Sequence, residues 1–260
     1  KGRLTIRERI DALSDAGSFR EEGPIVGHGQ MNEEGSLQTF TPGNYVLGTS
    51  QIDGRPCVLG GEDFTQRGGS PTSSGLRKSI YAEDLALRYR IPLIRFLEGG
   101  GGSVTGTKGK ATNAPQSMGD PVFARSRFKS IADALKNVPV VSAAMGPVAG
   151  LPAARLAASH FSVMVRGQSQ ILIAGPAVVE RATGEVLTKE ELGGAAIHLR
   201  SGVVDKAVDS EEELMEEIRR FLSYLPINTS EMPVRSDELD DDPERADEFH
   251  AEAHGALLMR

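Results

Sequence analysis

The sequence has no tryptophan, a single cysteine and few aromatic residues, 5% of 260. One cysteine excludes an intramolecular disulfide and a four-cysteine zinc site, and gives no reason to infer an oxidising compartment. No apolar run reaches the roughly 18 residues of a membrane-spanning helix, and the start at Lys1 carries no signal-peptide core. A cytoplasmic location is expected, or the mitochondrial matrix in a eukaryote, with no membrane partner. Positive charge is in deficit: 29 Lys and Arg against 36 Asp and Glu leave a net charge of −7, which argues against non-specific nucleic-acid binding. Glycine is abundant, at 30 residues, and favours tight turns and close backbone packing. The hydrophobic and charged fractions, 39% and 25%, are those of a globular chain. A chain of this length buries roughly 70–75% of its unfolded surface and needs no disulfide or metal staple.

Thr5 and Glu8 form a capping-box pattern ahead of Ile10 and Leu13, which predicts a helix over about 5–14. Residues 15–43 read as loops with a weak strand. Asp53-Gly54 between apolar runs signals a hairpin. A helix fits 75–90, with apolar residues on two sides, as for a helix sandwiched inside the domain. Ile91 to Leu97 is an apolar run of strand length that leads into Glu98 and four glycines, Gly99 to Gly102. Residues 103–119 form a long loop. Asp120-Pro121 then opens a helix whose stripe is Ala124, Phe128, Ile131 and Leu135. Val138 to Met145 is a strand, stopped by Gly146-Pro147, and Leu151 to Ser159 is helical. Phe161 to Val165 and Gln170 to Ala174 are further strands. Thr188 with Glu191 caps a short helix that Gly193-Gly194 stops. Val203-Val204 starts a last strand, and Ser210 with Glu213 opens a helix that Pro226 ends. Strands alternate with helices and several strands are apolar throughout, the pattern of an α/β domain with a largely buried sheet. Acidic residues crowd after Ser236, so residues 1–235 are expected to form the domain and 236–260 an acidic linker or tail.

Two glycine-rich turns are the candidate chemistry. The run Gly99 to Gly102 follows an apolar strand, and its uncovered N–H groups can form a nest for an anion or oxyanion; it also reads as a plain flexible turn. The segment Gly146-Pro147-Val148-Ala149-Gly150-Leu151-Pro152 joins a strand to a helix, and as well as a plain turn it offers helix N-terminal N–H groups. Two such turns facing each other make an oxyanion hole suited to a thioester carbonyl on its way to an enolate. No dinucleotide, P-loop or Gly-x-Ser-x-Gly pattern is present. His28, His160 and His198 are scattered. His250 and His254 are four apart, but the place where a zincin has Glu is Ala251, so no metal site is expected. His160 reads as a core histidine and Cys57 as a buried hydrophobe.

At these residues the chain resembles the N-terminal half of the carboxyltransferase (beta) subunit of biotin-dependent acyl-CoA carboxylases, the propionyl-CoA and methylcrotonyl-CoA type. Lys1-Gly2-Arg3-Leu4-Thr5-Ile6-Arg7-Glu8-Arg9-Ile10 is similar to that family's opening Lys-Gly-Lys-Leu-Thr-Ala-Arg-Glu-Arg-Ile. Gly68-Gly69-Ser70 resembles its Phe-Gly-Gly-Ser, and Glu98 to Gly106 falls where the family has Asp-Gly-Ala-Gly-Ala-Arg-Ile-Gln-Glu-Gly. Gly146 to Gly150 resembles Gly-Pro-Cys-Ala-Gly. Gly175-Pro176, Thr183-Gly184-Glu185, Glu191 to Ala195 and Ser223 to Pro226 follow in the family's order.

The resemblance implies a crotonase-like fold of stacked ββα units and an acyl-CoA substrate. It implies a thioester oxygen held by backbone N–H groups of Gly100, Gly101 and Gly102 on one side and Gly150 and Leu151 on the other. Arg67, Gly68, Gly69 and Lys78 are the expected contacts to CoA. The family moves CO2 from carboxybiotin, borne on a separate carrier, to the enolate, with biotin itself as base. The implied partners are a C-terminal carboxyltransferase half on another chain and a biotin carboxylase or biotin-carrier subunit, in a homo- or hetero-oligomer. Departures from the pattern are Ser103 for the family's Arg, a longer loop over 107–120 and Gly150-Leu151 for Gly-Gly. The alternatives are a biotin-independent acyl-CoA decarboxylase or thioester hydrolase of the same fold, and a non-catalytic subunit of a carboxylase complex.

Overall fold

Thr5 Oγ1 accepts the Glu8 N–H, the Glu8 carboxylate accepts the Thr5 N–H, and α1 (Ile6–Leu13) follows from that capping box. The structure is a computed structural model that describes residues 3–99 and 127–233. After α1 come a two-residue strand, β1 (Arg20–Glu21), and an exposed ribbon, β2 (Gly27–Met31) paired with β3 (Leu37–Pro42). This ribbon lies where loops with a weak strand were expected, and supplies two paired strands. Its turn is fastened by the Asn32 side chain, whose Oδ1 accepts from Glu34 and Ser36 N–H groups. The predicted hairpin is β4 (Tyr45–Ile52) and β5 (Arg55–Glu62), with Asp53 and Gly54 both at positive φ. Asp15 fixes that turn by accepting the N–H groups of Asp53 and Gly54 at 2.9 and 2.8 Å.

A 3-10 turn, Arg67–Gly69, precedes α2 (Ser73–Tyr89), which is capped by Thr72. Only one side of α2 is buried, through Ala82, Leu85 and Ala86. Tyr81 and Tyr89 are exposed, so the helix lies on the sheet rather than inside the domain as expected. Next come β6 (Leu93–Gly99), α3 (Arg127–Asn137) and β7 (Val140–Ala149). The start expected for α3 at Asp120, with Ala124, lies outside the described residues, and Phe128 is exposed while Ile131 and Ala134 are buried. β7 runs past Gly146-Pro147 because Pro147, Val148 and Ala149 are paired with the later segment Gln170–Leu172.

The remaining elements are α4 (Leu151–Ala157), β8 (Phe161–Val165), β9 (Gln170–Leu172), α5 (Pro176–Thr183), α6 (Lys189–Gly193), α7 (Ala195–Ser201), β10 (Lys206–Val208) and α8 (Glu211–Ser223). β10 starts later than the expected Val203-Val204. Asp205 accepts the Ser162 N–H and hydroxyl, and this anchor on β8 precedes the pairing.

The main sheet has the order β1-β4-β5-β6-β7-β8-β10, with β9 beside the end of β7. From β5 to β10 neighbouring strands are parallel. The two-residue period of a strand divides β6 between two layers. Ile94 and Phe96 pack with α1 and α8 through Ile10, Leu214 and Ile218. Leu93 packs on the opposite face with Leu85, Ala134 and Val140. A third cluster joins Leu97, Ala144, Leu156, Met164 and Ala195. The sheet is therefore covered on both faces. No helix among the described residues is long and apolar enough to cross a membrane.

Candidate functional site

Three parallel strands end side by side: β5 at Glu62, β6 at Gly99 and β7 at Ala149, with Gly99 in register with Val148. The carboxyl ends of adjacent parallel strands are where α/β sheets place ligands. The Arg67–Gly69 turn packs against the end of β6, with Gly69 buried and Arg67 and Gly68 exposed. At the end of β7, Gly150 adopts φ 69° and ψ −131°, a conformation suited to glycine, and starts α4. The first intrahelical bond of α4 runs from Ala154 N–H to Gly150 O at 3.1 Å, so the Leu151 and Ala153 N–H groups precede it and Pro152 has none. A cavity of about 30 Å³ lies between these parts, lined by Tyr45, Glu62, Gly69, Ser79, Leu151 and Arg155 among others.

Two buried ion networks flank the strand ends, one on each face of the sheet. On the α1–α8 face, Arg9 Nη1 donates to Glu98 at 2.5 Å, and its Nε and Nη2 donate to Glu211 at 2.9 Å. Burial works against the Arg9 charge, but the hydrogen bonds to Glu211 and Glu98 hold its pKa above the ordinary value. Gly146 leaves room for the Glu98 carboxylate, since a Cβ there would stand 2.5 Å from Oε1. On the α2–α4 face, Arg95 Nη2 and Arg155 Nε both donate to Glu83 Oε1, at 3.3 and 2.9 Å, and Arg155 Nη1 donates to Ser79 Oγ at 3.0 Å. Burial pulls the Arg95 pKa down to about 10 against the opposing pull of Glu83. Glu62 accepts the Glu98 N–H at 3.3 Å, and burial raises its carboxyl pKa, with Arg155 partly offsetting.

Residues 1–255 match the carboxyl transferase domain family. The chain belongs to that family. The carboxyltransferase subunit of propionyl-CoA carboxylase from Haloferax mediterranei is 37% identical over 253 residues, 96% of this chain and 46% of the relative. The methylmalonyl-CoA decarboxylase subunit alpha of Veillonella parvula is 33% identical over 249 residues, 95% of this chain and 47% of the relative. The crystal structure of transcarboxylase 12S, a hexamer with methylmalonyl-CoA bound, superposes with a TM-score of 0.74 at 26% identity, over 92% of this chain and 45% of that one. The chain thus spans about half the length of the relatives it matches. The crotonase-like α/β fold implied by the resemblance is the fold of this carboxyl transferase domain.

Within this domain the structure brings some of the expected site residues together. Gly69 and Leu151 line one cavity, and Gly150 adjoins it in the chain. Gly100, Gly101 and Gly102 lie outside the described residues, as do His250 and His254. Lys78 is buried on α2 with its Nζ 3.8 Å from Glu21, and does not line the cavity. His28 is exposed on β2. His160 is exposed rather than in the core, and its Nδ1 accepts the Val140 N–H at 3.0 Å. Cys57 is free and buried, and burial pushes its thiol up to about 12. Tyr45, Glu62, Glu83, Arg95 and Arg155 were not singled out from the sequence. The signal was there: an arginine inside the apolar run Ile91 to Leu97 and another inside an Ala-rich helix. A long cation among residues destined for burial calls for a buried acid.

Proposed function

We propose that this chain is the acyl-CoA-binding half of a carboxyl transferase that moves a carboxyl group between carboxybiotin and the α-carbon of an acyl-CoA. The observation that carries the reading is the convergence of the Gly69 turn and the Gly150-Leu151 turn on one cavity at the ends of β6 and β7. Gly100 to Gly102 continue β6 in the sequence, and with Gly150 and Leu151 they are the backbone donors assigned to the thioester oxygen. N–H groups fixed by strand and helix ends stabilise an enolate oxygen without reorganising, which is the main way such sites lower a barrier.

Carboxybiotin is a co-substrate borne by another chain, and supplies the carboxyl group. The residues of this chain bind the thioester and polarise it. Arg67, exposed beside Gly68, is the cation offered to the CoA phosphates, which need charged partners once desolvated. Lys78 faces Glu21, so the CoA assignment rests on Arg67. The proposed partners are a C-terminal carboxyltransferase half and a biotin-carrier subunit within an oligomer. The likeness to a methylmalonyl-CoA decarboxylase subunit supports the reverse direction as a second reading, with an acyl-CoA as carboxyl donor.

The test is Gly101→Val, assayed for carboxyl transfer from methylmalonyl-CoA to biotin with the C-terminal half supplied. A β-branched side chain blocks access to the glycine donors. Loss of one oxyanion donor costs about 2.7–4 kcal/mol of barrier, a rate loss of roughly 100- to 1,000-fold. Unchanged kinetics would overturn the assignment of the glycine run.

A further inference from the structure

The last rung between β5 and β6 is made by a side chain. Val58 N–H donates to Pro92 O at 2.8 Å, and in a parallel ladder the residues bonded to one neighbour recur at every second position. That period leads from Val58 to Glu62 on β5 and from Pro92 to Glu98 on β6. The backbone register, however, ends at Gly61 and Phe96. The Glu98 N–H is taken instead by the Glu62 carboxylate, at 3.3 Å from Oε2. Glu62 and Glu98 are 7% and 3% exposed, so an unpaired N–H at this point would be costly.

The bond sits where β6 loses its regular neighbours. On the β7 side Leu97 is in register with Ala144 and Gly99 with Val148, so β7 advances four residues while β6 advances two. Such a bulge bends a strand and re-aims the chain beside a site. The Arg67–Gly69 turn presses on the same point, since a Cβ on Gly99 would stand 2.5 Å from the Gly69 carbonyl oxygen. Gly99 opens the glycine run, and Glu62 lines the cavity shared by Gly69 and Leu151. The direction in which the chain leaves β6 depends on how Glu98 is held, and Glu62 holds its N–H.

Ion pairing is not what places Glu62. The two buried guanidiniums on this face, Arg95 and Arg155, donate to Glu83. Burial favours the neutral form of Glu62. A neutral carboxyl keeps a carbonyl oxygen that accepts, so the arrangement asks for an acceptor of this reach rather than for a charge.

We propose that Glu62 is a positioning residue for carboxyl transfer: its carboxyl group replaces the missing rung and fixes the end of β6 from which the glycine donors depart. The proposal rests on the acyl-CoA reading of the turns. Glu62 acts through the Glu98 backbone rather than on the substrate. A loosened strand end still admits the thioester but holds the donors out of line with the developing enolate oxygen, so the rate falls while affinity is kept.

The experiment compares carboxyl transfer from methylmalonyl-CoA to biotin, with the C-terminal half supplied, by the wild type, Glu62→Gln and Glu62→Met. Gln keeps an acceptor at the same reach, and Met keeps the length without one. Rates are taken per thioester-binding site, counted by titration, so that a loss of folded protein does not pass for a loss of rate. Glu62→Met is expected to lose about 10- to 100-fold in kcat with KM for the thioester within about twofold, and Glu62→Gln to restore most of the rate. Amide hydrogen exchange gives the second readout: the Glu98 amide speeds up in Glu62→Met and not in Glu62→Gln, while the Ile94 amide keeps its protection in both. An unchanged kcat in Glu62→Met overturns the proposal and leaves the acyl-CoA reading standing. Equal losses in the two variants overturn it too, since an acceptor is then not what matters. A wild type that binds no thioester, or transfers no carboxyl group, overturns the acyl-CoA reading and the proposal with it. If Glu62→Met fails to fold, the wild type decides: a Glu98 amide that exchanges as fast as an unstructured one overturns the proposal, and a protected one supports it.

Discussion

Gly69 is pressed against Glu98: a Cβ on Gly69 would stand 2.1 Å from the Glu98 carbonyl oxygen, closer than any real contact. Its neighbour Gly68 also has a positive φ, of 60° against 69°, but has open space around it. The two glycines therefore separate conformational cost from collision. Gly68→Ala is expected to cost about 1–2 kcal/mol of stability, the usual price of a left-handed alanine. Gly69→Ala adds the collision, lifts the Arg67–Gly69 turn off β6 and weakens acyl-CoA binding. Urea unfolding and thioester titration of both variants check this. Equal behaviour of the pair would remove Gly69 from the site.

Much of this was legible in the sequence because local rules and the fold agreed. The Thr5–Glu8 and Thr188–Glu191 capping boxes and the Asp53-Gly54 turn formed as read, each being decided within a few residues. What was not legible depended on neighbours far along the chain. β7 passes through Gly146-Pro147 because β9 pairs beside it and because Gly146 makes room for Glu98. Tyr81 and Tyr89 read as a second buried face from their spacing, but α2 has the sheet on one side only and both are exposed. Glu83, Arg95 and Arg155 come from α2, β6 and α4, and only the folded sheet brings them together.

Arg9 holds Glu98 and Glu211 together on the far side of the same strand ends. Removing the guanidinium would leave two buried carboxylates without their shared partner. Arg9→Met is expected to destabilise the chain by about 3–5 kcal/mol, measured by urea unfolding. A loss below about 1 kcal/mol, the value of a surface pair, would show that the network is hydrated and adds little.

Glu62 makes stability depend on pH with a defined sign. Burial raises its folded-state pKa above the unfolded value, while Arg155 and Arg95 oppose the shift. Between the ordinary glutamate range and the raised value the folded state holds the extra proton. This contribution is therefore complete at acid pH and is lost as pH rises through the folded pKa. Glu62→Gln should remove the trend, so the variant gains on the wild type from pH 4.5 towards neutrality. Parallel pH profiles of unfolding free energy for the two proteins would contradict the sign.

Asp15 behaves in the opposite way. Its carboxylate accepts the Gly54 and Asp53 N–H groups, and these bonds hold its pKa below the ordinary aspartate range. The stabilisation is present above the unfolded pKa and is lost as pH falls through the lowered one. Asp15→Ala should therefore narrow the wild type's advantage below about pH 4, where wild-type Asp15 also takes up its proton. Thermal melts of both proteins at neutral and acid pH would show it, and a constant difference would remove the carboxylate from the turn.

The last prediction concerns what the chain does by itself. These 260 residues span 46% of the Haloferax mediterranei relative. The described surface carries large apolar side chains in the open, with Ile173, Val186, Tyr224 and Met232 at 99%, 80%, 69% and 88% exposure. Single exposed hydrophobes are ordinary, but a chain that joins an obligate partner needs apolar surface to bury. The 260-residue chain is accordingly expected to bind acyl-CoA alone without transferring a carboxyl group to biotin. Adding a separate chain with the C-terminal half should restore transfer from methylmalonyl-CoA, through an interface of more than about 2,000 Å². Steady turnover by the purified chain alone would refute the two-half arrangement and place a self-sufficient site within these residues. Acyl-CoA binding with no turnover, even when the second half is present, would instead mark the chain as a non-catalytic subunit.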